Sequence, residues 1–405
     1  MPHNRKMVTG NSVFIRKMNR SLILKTIIEN KSISRSGLEA QTSLALPTIM
    51  RIVSILIEEG LVVEVGKGDS SGGRKPTMLE MKSDCMYFIG VSVQRVTHVI
   101  LTDVSGNIIS GYHCDTTYDA KLESLLKQIL EGIDIVISQS KVDPSKIKYA
   151  GIGIPGTKFK HEITSIDFPF YNAWADFDPL EWKESGKFPC PVEFENVAKL
   201  GALGEFLFGA AKNCSNFIYI FADCGIGAGI VADGKLFTGV NGVAGEFGHT
   251  VVELNGRICY CGNKGCLEMY CSSSSLINRF ILDEQGDPVL KRKLRDTPDF
   301  SIFTSSAYSG DQAALKYIEE SANVLGLGAA GLINMFNPPL VIIGGELPQK
   351  CPGYTEIVAR SAKTAIFREC ANKLSIISGS LNDKATVRGA AALAMAQVFD
   401  HVRLN

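Results

Sequence analysis

Four short apolar runs break off in glycine: "MYFIGVSV" from Met86, "YAGIGIPG" from Tyr149, "NFIYIFADCGIGAGIV" from Asn216 and "LVIIGGEL" from Leu340. Between them lie helical stretches such as "LESLLKQILEGIDIVISQ" and "DQAALKYIEESANVLGLGAAGLINMF". Apolar strand and amphipathic helix in alternation predict an α/β fold around a central sheet. The glycine-rich strand ends near residues 90 and 225 predict two such halves. A chain of 405 residues has room for two or three domains. Nothing in it reads as a run of about 18 apolar residues, so no membrane span is expected. The first residues lack a secretory signal pattern, which points to the cytoplasm. The eleven cysteines should then be reduced.

Before residue 83 the texture is different. "RSLILKTIIEN" has helical spacing, and Ser34 is placed to cap a short helix burying Leu38 and Ala40. A turn near Thr42 and Ser43 leads to a third helix. There Pro47 suits the first turn, Ile49, Ile52, Val53, Leu56 and Ile57 form one stripe, and Gly60 is the stop. "LVVEVGKGDSSGGRKPTMLEM" reads as two strands around a basic tip. Residues 1–82 are thus expected to form a winged helix-turn-helix. They carry 13 Lys/Arg against 7 Asp/Glu in a chain of zero net charge, which suits an anionic partner. Such a domain sets its second helix of the pair in the major groove of duplex operator DNA and its wing on the backbone. Ala45, Pro47, Thr48 and Arg51 would face base edges, and Arg74 and Lys75 would meet phosphate or the minor groove. Arg35 and Arg20 are further phosphate candidates. A small helical domain that binds protein is the alternative.

"GEFGHTVVELNGRICYCGNKGCLE", Gly245 to Glu268, gathers His249, Cys259, Cys261 and Cys266. One imidazole and three thiolates match a closed tetrahedral Zn²⁺ site, structural rather than catalytic because no position stays open. Gly262 and Gly265 provide turns that let the sulfurs converge.

With its preceding Gly-Val-Ala, this stretch resembles the signature of the ROK family of bacterial sugar kinases and sugar-responsive repressors. "GIGIPG" (151–156), "ADCGIGAGIVADGKLFTGVNGVAGEFGH" (222–249), "INMFNPPLVIIGGEL" (333–347) and "VRGAAALA" (387–394) follow in the family's order, so the likeness spans 83–405. A winged helix in front makes the whole chain similar to the repressor branch, whose members regulate N-acetylglucosamine, glucose or xylose genes. The resemblance implies a two-lobed actin-like, hexokinase-like (ribonuclease H-like) domain with a sugar or sugar phosphate in the cleft. Lobe one would take about 83–198 plus the C-terminal helix, lobe two about 199–380. It also implies a homodimer or homotetramer, and a zinc site shaping the cleft wall.

Family kinases need a phosphate loop of Asp-x-Gly-x-Thr type and the Asp of an Asn-Asp pair as general base. Here Ser92, Gln94 and Val96 stand at the loop positions, and Val197 follows Asn196. Ile226 replaces the hydroxyl of the second phosphate loop. Valine accepts no proton, and loss of a general base typically costs a factor of about 10²–10⁴. No enzyme activity is therefore expected. By resemblance the sugar contacts are Asn196, Glu246, His249 and Glu268, with Phe170 where kinases tend to have a sugar-contacting Asn. The rival readings are a sugar kinase with a DNA-binding appendage and a regulator controlled by a protein partner.

Overall fold

The computed structural model describes residues 12–67, 75–116, 122–156, 177–284 and 286–399. Helix α1 (Ser12–Asn30), β1 (Ser32–Ser34), α2 (Arg35–Thr42), α3 (Leu46–Glu58), β2 (Val62–Lys67) and β3 (Thr77–Met81) make a winged helix, its antiparallel sheet ordered β1-β3-β2. The Ser34 hydroxyl accepts from the Gly37 amide at 3.0 Å, the expected cap. Ser43, at φ 56°, ends α2, and Pro47 lies in the first turn of α3. Ile49, Ile52, Val53 and Leu56 are buried against Ile23, Ile27 and Leu38. Two details differ from expectation. Ala40 is exposed, because it lies two positions from buried Leu38 on a helix of only two turns. Strand β1 went unanticipated, its three residues being too few to show an alternation.

Two five-stranded sheets follow. The first uses β4 (Tyr87–Val93), β5 (Val96–Asp103), β6 (Ile108–Asp115), β7 (Ile147–Ile154) and β8 (Val192–Asn196), in the order β6-β5-β4-β7-β8. The second uses β9 (Phe217–Ala222), β10 (Ile226–Ala232), β11 (Lys235–Leu236), β12 (Leu340–Gly344) and β13 (Ser375–Ser378), in the order β11-β10-β9-β12-β13. Each sheet runs antiparallel through its first three strands and parallel through the last two. The two halves expected from the glycine-ended strands are two copies of one topology.

Helices α4 (Leu122–Ser140) and α5 (Pro179–Glu184) belong to the first half. Helix α6 (Val197–Phe208) leads out of it. The second half carries α7 (Glu268–Cys271), α8 (Ser273–Leu282), α9 (Pro288–Asp296), α10 (Phe300–Tyr308), α11 (Gln312–Phe336), α12 (Glu346–Lys350) and α13 (Tyr354–Lys363). The last helix, α14 (Lys384–Phe399), packs along α6. No helix among the described residues is long and apolar enough to cross a membrane.

The α6–α14 contact is made backbone to backbone. A Cβ on Gly204 would lie 2.0 Å from the Ala385 carbonyl oxygen, and one on Gly389 would lie 1.9 Å from that of Leu200. Gly90 and Gly151 give α14 the same close approach to the first sheet, and Gly227 and Gly229 admit α6 to the second. The far end of α14 enters the winged-helix core: Ala394 and Phe399 share one buried cluster with Ile23, Leu24, Ile27, Met86 and Phe88. The Phe88 and Phe399 rings stand 6.3 Å apart.

Gly389→Ala should therefore destabilise the protein by about 1–3 kcal/mol or more, since neither backbone can yield. Gly331→Ala, on α11 with open space around it, should stabilise by about 0.5–1 kcal/mol. Thermal unfolding of the two variants checks the contrast.

Candidate functional site

The segment after β11 doubles back on itself. Isolated bridges pair Val251 with Cys266 and Ile258 with Lys264. Gly262 and Gly265 take φ 89° and 76°, and a Cβ on Gly265 would lie 1.8 Å from the Glu253 carbonyl oxygen. The loop thus brings His249, Cys259, Cys261 and Cys266 together, their ligand atoms all within 4.8 Å of one another. His249 Nδ1 is 3.6 Å from Cys259 Sγ, and Cys261 Sγ is 3.7 Å from Cys266 Sγ. Metal–sulfur bonds of about 2.3 Å and a metal–nitrogen bond of about 2.0 Å give tetrahedral edges of about 3.5–3.8 Å. The donor set and its spacing fit a tetrahedral metal ion. Cys259 and Cys266 are buried and Cys261 is exposed. Burial pushes the Cys266 thiol up to about 11, so a bound cation has to displace protons from sulfur. The other imidazole nitrogen, Nε2, lies 3.4 Å from the Tyr260 hydroxyl.

The residues assigned to a sugar converge beside this loop, and their own structural bonds are heavy. Asn196 ends β8 and caps α6: its Oδ1 accepts from the amides of Ala198 (2.8 Å) and Lys199 (3.4 Å), and its Nδ2 donates to Gly156 O at 2.9 Å. Val197 is buried in the first turn of α6. Glu268 is buried, and its Oε2 accepts from the Ile226 amide at 2.7 Å. Burial pushes its carboxyl up to about 7, while hydrogen bonds from the Tyr260 hydroxyl and the Ile226 amide oppose the rise. Glu246 is half-buried; its desolvation raises its pKa, and the nearby charges of His249 and Lys199 pull the other way.

Two more charged residues meet here, and the sequence reading passed over the lysine. Lys199, almost fully buried, donates to the Gly242 carbonyl and lies 3.7 Å from Glu195 Oε1. Glu195 also accepts from the Asn196 amide at 2.8 Å. The available signal was a lysine on the otherwise apolar first turns of "VAKLGALGE".

Where a kinase would cradle phosphates, the first hairpin is filled from within. Gln94 Nε2 donates to the buried Ser92 hydroxyl at 2.8 Å. Gly227 and Gly229 lie under α6, and the Ile226 amide is already bound to Glu268.

On the winged helix, Ala45, Pro47 and Arg51 are exposed and Thr48 is half-buried. Leu46 and Met50 are exposed on the same helix and were not singled out. Lys75 is exposed at the start of the wing's return, whereas Arg74 and Phe170 lie outside the described residues. The remaining two phosphate candidates are held by carboxylates: Arg35 Nη2 is 2.6 Å from Glu64 Oε1, and Arg20 Nη1 is 2.8 Å from Glu59 Oε1. Neither ion pair joins sequence neighbours, so spacing could not have shown them.

The profile of the ROK family matches residues 91–397. The xylose repressor of Bacillus spizizenii is 32% identical over 403 residues, covering 98% of this chain and 100% of that one. A solved ROK family transcriptional regulator, a homologue of the E. coli MLC protein, superposes with a TM-score of 0.73 at 24% identity, over 96% of this chain and 98% of its own. A ROK family glucokinase from Streptomyces griseus, solved with glucose and AMPPNP, reaches a TM-score of 0.61 at 26% identity. It covers 76% of this chain and 99% of itself.

If the four-residue cluster holds a metal, elemental analysis of the purified chain should find about one ion per chain. Cys261→Ser, at the exposed ligand, should lose most of that ion and melt several degrees lower. Full metal content with unchanged melting would refute the assignment.

Proposed function

The chain belongs to the ROK family, and we propose that it is a DNA-binding transcriptional repressor released by a sugar or sugar-phosphate ligand, without phosphoryl-transfer activity. Val197 carries this reading. It is buried where a kinase of this fold has its proton-accepting carboxylate, directly after the asparagine that caps α6. The filled first hairpin, with Gln94 bound back to Ser92, supports it. So does full-length similarity to a xylose repressor, against about three quarters of the chain for the glucokinase.

In this reading the cation is a structural zinc on His249, Cys259, Cys261 and Cys266. It fixes the wall from which Glu246 and Glu268 face the cleft, and those carboxylates, with Asn196 and His249, suit hydroxyls that both donate and accept. Ala45, which precedes α3, and Pro47, Thr48 and Arg51 on it face the major groove, Arg74 and Lys75 the backbone, and Arg35 can join them by leaving Glu64. Two chains act together, as a homodimer or homotetramer, so that two recognition helices meet successive major grooves. The protein works in the cytoplasm.

Helix α14 connects the two activities. At its start the Thr386 hydroxyl donates to the Val197 carbonyl at 3.3 Å, one residue from the proposed sugar contact Asn196. At its end Phe399 sits in the winged-helix core. A ligand that favours one lobe arrangement thereby favours one placement of the DNA-binding helices, provided its affinity differs between the two.

Gel shifts on promoter DNA and a thermal-shift screen of sugars and sugar phosphates test this reading. Arg51→Ala should cost about 1–3 kcal/mol of operator affinity and relax specificity at one position, and Lys75→Ala should weaken all sequences alike. A ligand that raises the melting temperature should release the DNA. Phosphate transferred to a sugar from Mg-ATP by the purified protein would overturn the reading.

A further inference from the structure

One network of buried charge lies outside the sites described above. Arg95, at the tip of the β4–β5 hairpin, reaches from the first half of the ROK domain to the second. Its Nε is 3.1 Å from Glu346 Oε1, and its Nη1 donates to the Pro298 carbonyl at 2.9 Å. Both side chains are largely buried, at 18% and 9% exposure, so the contact is little screened by salt.

The second half holds the glutamate rigidly. The Ser273 hydroxyl donates to Glu346 Oε1, and Lys350 Nζ lies 3.2 Å from Oε2. Lys350 is itself bound to the Ser301 hydroxyl at 2.7 Å. The Glu346 amide donates to Asp223 Oδ2 at 2.9 Å, and Asp223 Oδ1 accepts from the Cys224 amide at 2.7 Å. Asp223 and Glu346 are close, buried carboxylates. Burial and the Glu346 charge push Asp223 up to about 6, and Arg95 is a cation that offsets this repulsion. Glu346 thus forms a prepared socket, and Arg95 reaches into it from the other sheet's hairpin.

The position gives the contact its meaning. Arg95 stands on the hairpin that carries Ser92 and Gln94, and Glu346 opens the helix after the glycine turn of β12. By the resemblance to family kinases, the hairpin is the one that would hold a nucleotide's phosphates, and Glu346 faces it from the second sheet. We propose that the Arg95–Glu346 pair is an interlobe latch that bridges the disused nucleotide cleft and sets the equilibrium between closed and open lobe arrangements. An ion pair within the chain then does continuously what a bound nucleotide would do only while present. Any ligand that changes the cleft works with or against this bond. The inference rests on the two-lobed fold and does not depend on which ligand or operator the protein recognises.

Hydrogen exchange on the full chain tests it. Arg95→Met keeps the bulk of the side chain and removes its charge, while Ser273 and Lys350 continue to bind Glu346, so the variant should fold. Peptides covering Asp223–Ile226 and Gly344–Lys350, closed over by Arg95 in the latched state, should exchange at least fivefold faster. Peptides of the Cys259–Cys266 loop should be unchanged. X-ray scattering should show a larger radius of gyration. Glu346→Gln also loses the Lys350 ion pair and should act in the same direction, and adding Arg95→Met to it should change little, because the interlobe bond is the interaction the two variants share. Wild-type exchange and scattering in Arg95→Met would overturn the latch, as would single effects that simply add. A failure here leaves the repressor reading standing, since neither measurement involves DNA or sugar.

Discussion

Two helices touching backbone to backbone between two sheets set the geometry of everything else. Gly204 and Gly389 leave no room for a side chain where α6 meets α14. Glycines on the strands beneath extend that close approach to both sheets. Such contacts are rigid because the atoms that meet are carbonyls and α-carbons rather than adaptable side chains. They fix α6, and with it Asn196 and Val197 at its start. They also fix the course of α14 from the Val197 carbonyl to the winged helix.

Sequence reading went furthest where local rules decide the outcome. The serine cap on α2, the proline in the first turn of α3 and the isoleucine-rich stripe of that helix all depend on residues within a turn or two of each other. The two halves were visible because each ends strands in glycine; that they repeat one strand order was not. Pairings across large sequence distances were beyond reach. Arg35 meets Glu64, Arg20 meets Glu59 and Arg95 meets Glu346, and no periodicity announces any of them. Ala40 and the three-residue β1 show the other limit, where an element is too short for its pattern to be counted.

Reading the sequence named a residue set without showing how heavily the fold itself uses it. Asn196 caps a helix, Glu268 binds the Ile226 amide, and His249 turns its second nitrogen to Tyr260. Each was singled out for the ligand. Structural bonds of this kind hold polar groups in one orientation before any ligand arrives, which is how a pocket avoids reorganising on binding. Lys199 escaped notice because a buried lysine is rarely expected, and only the fold reveals Glu195 and the Gly242 carbonyl around it. The glycines of β10 show the reverse case: a motif associated with phosphate serves here to admit a helix.

The shared cluster of Ile23, Leu24, Ile27, Met86, Phe88, Ala394 and Phe399 makes the DNA-binding head poorly separable from the body. Part of what fills its interior is contributed by residues more than three hundred positions away. Chimeras that exchange heads between regulators of this kind would have to transplant the last turns of the final helix as well. A head moved alone would leave that interior partly unfilled.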